Sequence, residues 1–167
     1  LAEAGFPNGF ETTLYLPQPY AEYVKSGEIV ASQWKKVGVN AKLVTLEWGA
    51  WLDRIYKKHD YGVTVIGHVG RLDPVTLLER FKSKYNANYF GYANPAYDKL
   101  VEEADTSHDK KARKDAVVKL QRFLSEDAVC VWLFSIDGIV AMRQDVYGYS
   151  ELPIPGNRLI DVYRAGK

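Results

Sequence analysis

The strongest constraint on the fold is an alternation, between Glu11 and Val69, of short β-branched or two-periodic runs with longer runs of helical spacing. ETTLYL (Glu11 to Leu16) follows the turn signal FPNGF and is broken by PQP, so it reads as a strand. From Tyr20 to Val37 the positions Tyr23, Gly27, Val30, Trp34 and Val37 recur at helical spacing, and Gly38 is placed to stop the helix. NAKLVTLE (Asn40 to Glu47) reads as a second strand. Trp51, Leu52, Ile55 and Tyr56 then line one side of a short helix closed by KKHD, and Tyr61 to Val69 suits a buried third strand. The order β-α-β-α-β with short connections predicts an α/β fold, a mainly parallel sheet with helices on both faces and right-handed crossovers. Ligands in such sheets sit beyond the carboxyl ends of the strands, which directs attention to the loops beginning at Pro17, Trp48 and Gly67.

The second half of the chain reads as helices followed by strands. Asp73 is a good cap for a helix with Pro74 at its first position and Leu77, Leu78 and Phe81 inward. After a loop dense in Asn, Gly and Tyr, PAYDKLVEEAD places Tyr97, Leu100, Val101 and Ala104 on one helical face. Thr106 and Asp109 form a capping-box-like start for a helix from Lys110 to Glu126, with Ala116, Val117, Leu120, Phe123 and Leu124 inward. VCVWLFSI (Val129 to Ile136) and GIVAMR (Gly138 to Arg143) read as two strands of a C-terminal hairpin turned at Asp137-Gly138. Residues 145–167 carry too few apolar side chains for a domain of their own and are expected to need another surface.

Charge and motif content exclude several classes. With 22 Lys and Arg against 21 Asp and Glu, no global field draws the chain to nucleic acid or to an anionic membrane, so no nucleic-acid partner is expected. The run Asp109 to Lys114 reads as the polar first turns of an amphipathic helix. A single cysteine, Cys130, excludes an internal disulfide and a multi-cysteine zinc site, and His59, His68 and His108 show no metal spacing, so no metal or cofactor is expected. No G-x-S-x-G, G-x-x-x-x-G-K-[ST] or G-x-G-x-x-G pattern occurs, so no catalytic residue is assigned. No run reaches the apolar length of a membrane span, and no export signal is visible at LAEAGFPNGF.

From Asn88 to Ala104, NYFGYANPAYDKLVEEA resembles a signature of the dipeptide- and oligopeptide-binding receptors of ABC importers, solute-binding protein family 5. LAEAGFPNGFETTLY, KKVGVNAKLVTLEW, GHVGRLDP and SEDAVCVWLFSIDGIVAMR follow in register. The resemblance implies a type II periplasmic-binding-protein-like lobe. On that basis residues 1–144 are expected to form a C-terminal ligand-binding lobe, and 145–167 a tail that returns to an N-terminal lobe absent from this chain. It further implies a periplasmic or extracytoplasmic receptor that binds a peptide or other small solute without chemistry and delivers it to a membrane permease.

Within GHVGRLDP, family members commonly carry a tryptophan after the first glycine and then an aspartate that captures a peptide amine. Here His68 stands at the first position and Arg71 near the second, which favours an anionic or neutral ligand. The expected ligand-binding residues are Trp48, His68, Val69, Gly70, Arg71, Tyr89 and Tyr92. Five of them have a structural alternative: core packing for Trp48, a satisfied structural group at a strand end for His68, loop-pinning hydroxyls for Tyr89 and Tyr92, and an ion pair with Asp73 or Glu79 for Arg71. An α/β enzyme and a receptor-derived interaction or sensing module are the competing readings.

Overall fold

The computed structural model describes residues 1–136, 138–152 and 157–165. Packing divides the chain into two compact units, one of residues 1–68 with 89–91, the other of 69–88 with the remainder from Tyr92.

The first unit is built on β1 (Phe10–Pro17), α1 (Ala21–Lys35), β2 (Val39–Leu46), α2 (Trp48–Trp51) continued by a π-helical turn (Leu52–Lys57), and β3 (Val63–Thr64). The sheet order is β2-β1-β3 and all pairing is parallel, as the alternation requires. β1 and β2 pair over their full length, from Phe10 opposite Val39 to Pro17 opposite Leu46. Leu14 and Leu16, on one face of β1, are fully buried, and Gly27 of α1 lies against Leu16. Tyr15, on the other face, packs against the cluster of Trp51, Ile55 and Tyr89.

Two boundaries differ from the sequence reading. Helix α1 ends before Val37, which is exposed, and the chain turns at Gly38 in the left-handed region. The third strand spans two residues, not Tyr61 to Val69. A strand extends only as far as its ladder, and here β1, its neighbour, ends at Pro17, which has no N–H to offer.

The second unit holds α3 (Pro74–Leu78) with a 3-10 turn (Glu79–Phe81), α4 (Pro95–Thr106) and α5 (Lys110–Glu126). All three helices are capped by side chains. Asp73 accepts from the Val75 N–H at 2.9 Å, Asn94 from Ala96 and Tyr97, and Asp109 from Ala112. The expected stripes are buried at Tyr97, Val101 and Ala104 in α4 and at Ala116, Leu120 and Leu124 in α5. Thr106 is no part of a capping box: it belongs to α4, where its hydroxyl donates to the Glu102 carbonyl. Arg113 reaches from α5 to the second oxygen of Asp73 at 2.6 Å, so one carboxylate both caps α3 and ties it to α5. That guanidinium holds the Asp73 carboxyl below the usual carboxylate range, with the Val75 N–H adding to the effect.

The hairpin expected at 129–143 is corrected. No strand occurs at residues 129–136 or 138–143, and Asp137 of the proposed turn lies outside the described residues. Trp132 is 60% and Ile139 94% exposed, so the β-branched run has the composition of a buried strand without a ladder to join. Antiparallel pairing appears later instead, between β4 (Val146–Tyr147) and β7 (Tyr163–Arg164) and between β5 (Ser150–Glu151) and β6 (Asn157–Arg158).

Two outcomes test these packing arguments. Gly9 has φ near +78°, and a Cβ there would lie 1.9 Å from the Gly38 carbonyl oxygen, whereas Gly5, at φ +85°, faces open space. Gly5→Ala should therefore cost only the left-handed strain of about 1 kcal/mol, and Gly9→Ala about 3 kcal/mol, in urea unfolding. Asp73→Asn keeps a capping side chain but removes the charge. Because the folded pKa of Asp73 is depressed, its contribution is present above the unfolded value of about 4 and is lost as pH falls through the folded one. The melting temperatures of wild type and Asp73→Asn should differ at pH 7 and converge towards pH 3.

Candidate functional site

The three strand-end loops picked out by the parallel topology converge in the first unit. After β1, the chain enters α1 at Tyr20, an N-cap residue whose side chain makes no cap bond. The Tyr20 ring lies 5.3 Å from Tyr23 and meets Trp48 edge-on at 5.2 Å. After β2, Glu47 folds its carboxylate onto the N–H groups of Gly49 and Ala50, at 2.8 and 3.3 Å, and so starts α2 at Trp48. Trp48 then stacks on Trp51 at 5.2 Å with 7° between the planes. After β3, Gly67 approaches Tyr23 so closely that a Cβ would lie 2.1 Å from its hydroxyl oxygen. Burial raises the Tyr23 pKa first, with Glu22 and Tyr20 adding, while a hydrogen bond with the Gly67 backbone opposes them.

A half-buried polar relay fixes this wall from behind. The Trp51 indole N–H donates to the Thr64 hydroxyl at 3.0 Å, which donates to the Tyr15 carbonyl at 2.8 Å. Beside it Tyr89 is 2% exposed, and its carbonyl accepts from the Tyr61 hydroxyl at 2.7 Å. Its hydroxyl lies 2.9 Å from His68 Nε2, while the exposed His68 ring also stands 6.0 Å from Phe90. Phe90 stacks on Tyr89 at 4.4 Å.

Of the expected ligand residues, Trp48, His68 and Tyr89 are thus brought together in the first unit. Tyr89 is a core residue that holds His68, whereas Trp48 is half-buried and His68 is exposed. Val69, Gly70 and Arg71 are exposed and count with the second unit. Tyr92 also belongs there. Its hydroxyl donates to the Asp127 carboxylate, which accepts from Asn94 Nδ2 as well, so it pins α4 to the end of α5. Burial and that carboxylate push its pKa up to about 12. Tyr20, Tyr23, Trp51 and Phe90 were not singled out as site residues. The strand-end rule named the loop at Pro17, and Tyr20 lies in its path into α1, so that rule was the available signal.

The wall offers aromatic faces, phenolic hydroxyls and an imidazole, the groups of a non-covalent binding surface. Burial pushes the Cys130 thiol up to about 11, so it is a poor thiolate nucleophile at neutral pH. Among the described residues no group of three His, Cys, Asp or Glu side chains is arranged to hold a metal. A hollow of about 740 Å³ in the first unit lies at the amino ends of β1 and β2, among Thr12, Thr13, Ala31, Lys35 and Lys42. It gathers no aromatic side chain and sits at the other end of the strands from the converging loops.

The sequence profile of the bacterial extracellular solute-binding proteins, family 5, middle region, matches residues 1–89. The chain belongs to this family. It is 28% identical over 163 residues to the dipeptide-binding protein of Escherichia coli, covering 92% of this chain and 30% of that protein. It is 27% identical over 179 residues to heme-binding protein A of Haemophilus influenzae, covering 100% of this chain and 32% of that protein. The structure of Haemophilus influenzae OppA in complex with the peptide RPPGFSPFR superposes with a TM-score of 0.83 at 26% identity, over 98% of this chain and 33% of that one. The Escherichia coli murein tripeptide binding protein MppA superposes at 0.69 with 29% identity, over 76% of this chain and 26% of that one. The α/β fold with its parallel sheet is therefore that of the type II periplasmic binding proteins. The chain spans about a third of the length of the family members it matches. No helix among the described residues is long and apolar enough to cross a membrane.

The approach of Gly67 to Tyr23 gives a direct test of how the loops are held. Gly67→Ala should cost about 1 kcal/mol of stability, because the Tyr23 ring tip has to move aside. The same change in a Tyr23→Ala background should cost much less, a coupling that a double-mutant cycle in urea measures.

Proposed function

We propose that this chain is the C-terminal, ligand-binding part of an extracytoplasmic solute receptor that delivers a peptide or other small solute to an ABC permease, without covalent chemistry. The observation that carries this reading is the convergence of Tyr20, Tyr23, Trp48 and Gly67 at the carboxyl ends of a parallel sheet, in a chain of the solute-binding family. Peptide as the solute class draws on the relatives, which include a dipeptide-binding protein and a receptor solved with a bound peptide. In the first unit the proposed ligand contacts are Trp48 and His68 held by Tyr89; in the second they are Val69, Gly70, Arg71 and Tyr92.

The reading also accounts for the exposed apolar run. Residues 1–144 constitute the lobe, and the segment from Val131 to Met142, together with 145–167, runs back onto an N-terminal lobe of the same polypeptide. Support comes from the exposure of Val131, Trp132, Phe134, Ile136 and Ile139 and from relatives about three times as long. A role without catalysis is supported in each unit: burial suppresses the Cys130 thiol in the second, and in the first the His68 ring is engaged by a phenol.

The test is a titration of the full-length receptor with a di- and tripeptide library, followed by calorimetry and by the fluorescence of Trp48. Trp48→Ala should weaken binding of the selected solute about tenfold or more while leaving the melting temperature within a few degrees. Unchanged affinity in Trp48→Ala would remove the strand-end wall as the binding surface.

A further inference from the structure

We propose that Arg71 sets the charge class of the solute, anchoring a carboxylate or similar oxyanion on a ligand that also has an apolar portion. The inference rests on the receptor reading above and adds the chemistry of the ligand.

From Tyr61 to Leu72, Arg71 is the only formally charged side chain, and it lies in the exposed segment that follows β3. The acids that would neutralise it are committed elsewhere. One Asp73 oxygen accepts from the Val75 N–H and the other from Arg113 at 2.6 Å. Glu79 accepts from the Tyr85 hydroxyl. The ion pair with Asp73 or Glu79 that the sequence allowed is therefore not formed, and among the described residues Arg71 has no recorded hydrogen bond or ion pair. Arg54, Arg113, Arg143, Arg158 and Arg164, by contrast, each hold a carboxylate.

An arginine left without an acid in a chain that pairs most of its others is a vacant oxyanion partner. Its planar fork of N–H donors matches a carboxylate two bonds at a time, and it is more weakly hydrated than a lysine ammonium. Its neighbours indicate the rest of the ligand. Val69 is 52% and Leu72 74% exposed, so the charge is bracketed by two uncovered apolar side chains, and Gly70 leaves the approach to the guanidinium without a side chain of its own. A solute with an anionic end and an apolar body satisfies both features. Bare phosphate satisfies only the first.

The experiment uses the full-length receptor and matched pairs of solutes: tripeptides and N-acetyl dipeptides with an apolar side chain, each as the free C-terminal acid and as the amide. By calorimetry, wild type should bind the acid at least tenfold more tightly than its amide. Arg71→Ala should abolish that preference with its melting temperature unchanged, Arg71→Lys should retain part of it, and Arg71→Glu should invert it. If wild type binds members of the panel but acid and amide equally, or if Arg71→Ala keeps the preference, the charge assignment is overturned while the receptor reading stands. If wild type binds no member of either series, the receptor reading for peptide-like solutes falls and this inference falls with it. A melting temperature lowered by Arg71→Ala with the preference intact would make Arg71 a salt-bridge partner of the rest of the polypeptide, which also overturns the proposal.

Discussion

The hydroxyl of Thr64 is the junction on which the first unit depends. It accepts from the Trp51 indole and donates to the Tyr15 carbonyl, joining α2, β3 and β1 through one half-buried oxygen. A partly desolvated hydroxyl is best satisfied when both bonds are made, so it favours a single arrangement of the three elements. β3 contributes only two paired residues, and a ladder that short would fix it weakly. The side-chain relay supplies the missing restraint. It also sets the height of Trp51, hence of the stacked Trp48, hence of the Tyr20 edge that completes the aromatic wall.

What the sequence made legible follows from how local the determining physics is. Caps act within one turn, and Asp73 was readable from its place before Pro74, as were the buried stripes of α4 and α5 from their spacing; the start of α5 was read only in part, because Asp109 caps it while Thr106 ends α4. The parallel sheet was readable because its connections are short and its order is nearly enforced by chirality. Strand extent was not. Tyr61 to Val69 and Val129 to Ile136 have the composition of strands, yet pairing is decided by a neighbour elsewhere in the chain or outside it, which no local pattern encodes.

The meeting place of the strand-end loops was more legible than the identity of the candidate site's residues. Topology pointed to the loops after Pro17, Trp48 and Gly67, and those loops do meet. The identities were harder because an aromatic residue in an Asn- and Gly-rich loop looks the same whether it faces water or the core. Tyr89 and Tyr92 lie three positions apart with opposite roles: one is buried and positions His68, the other ties two helices together through Asp127. Glu47, at the end of an apparent strand, gave no local sign that its carboxylate would begin the next helix.

The suppressed thiol of Cys130 has a practical consequence. It is the sole cysteine of the chain, and with a pKa near 11 it is nearly silent towards thiol-directed dyes at neutral pH. A cysteine introduced at the exposed Val69 would therefore label selectively against this background, without first removing the native one. On the receptor reading proposed above, a fluorophore at that point in the loop serves as an optical reporter of the solute, and Arg71, two residues away, is the position proposed to set its charge preference.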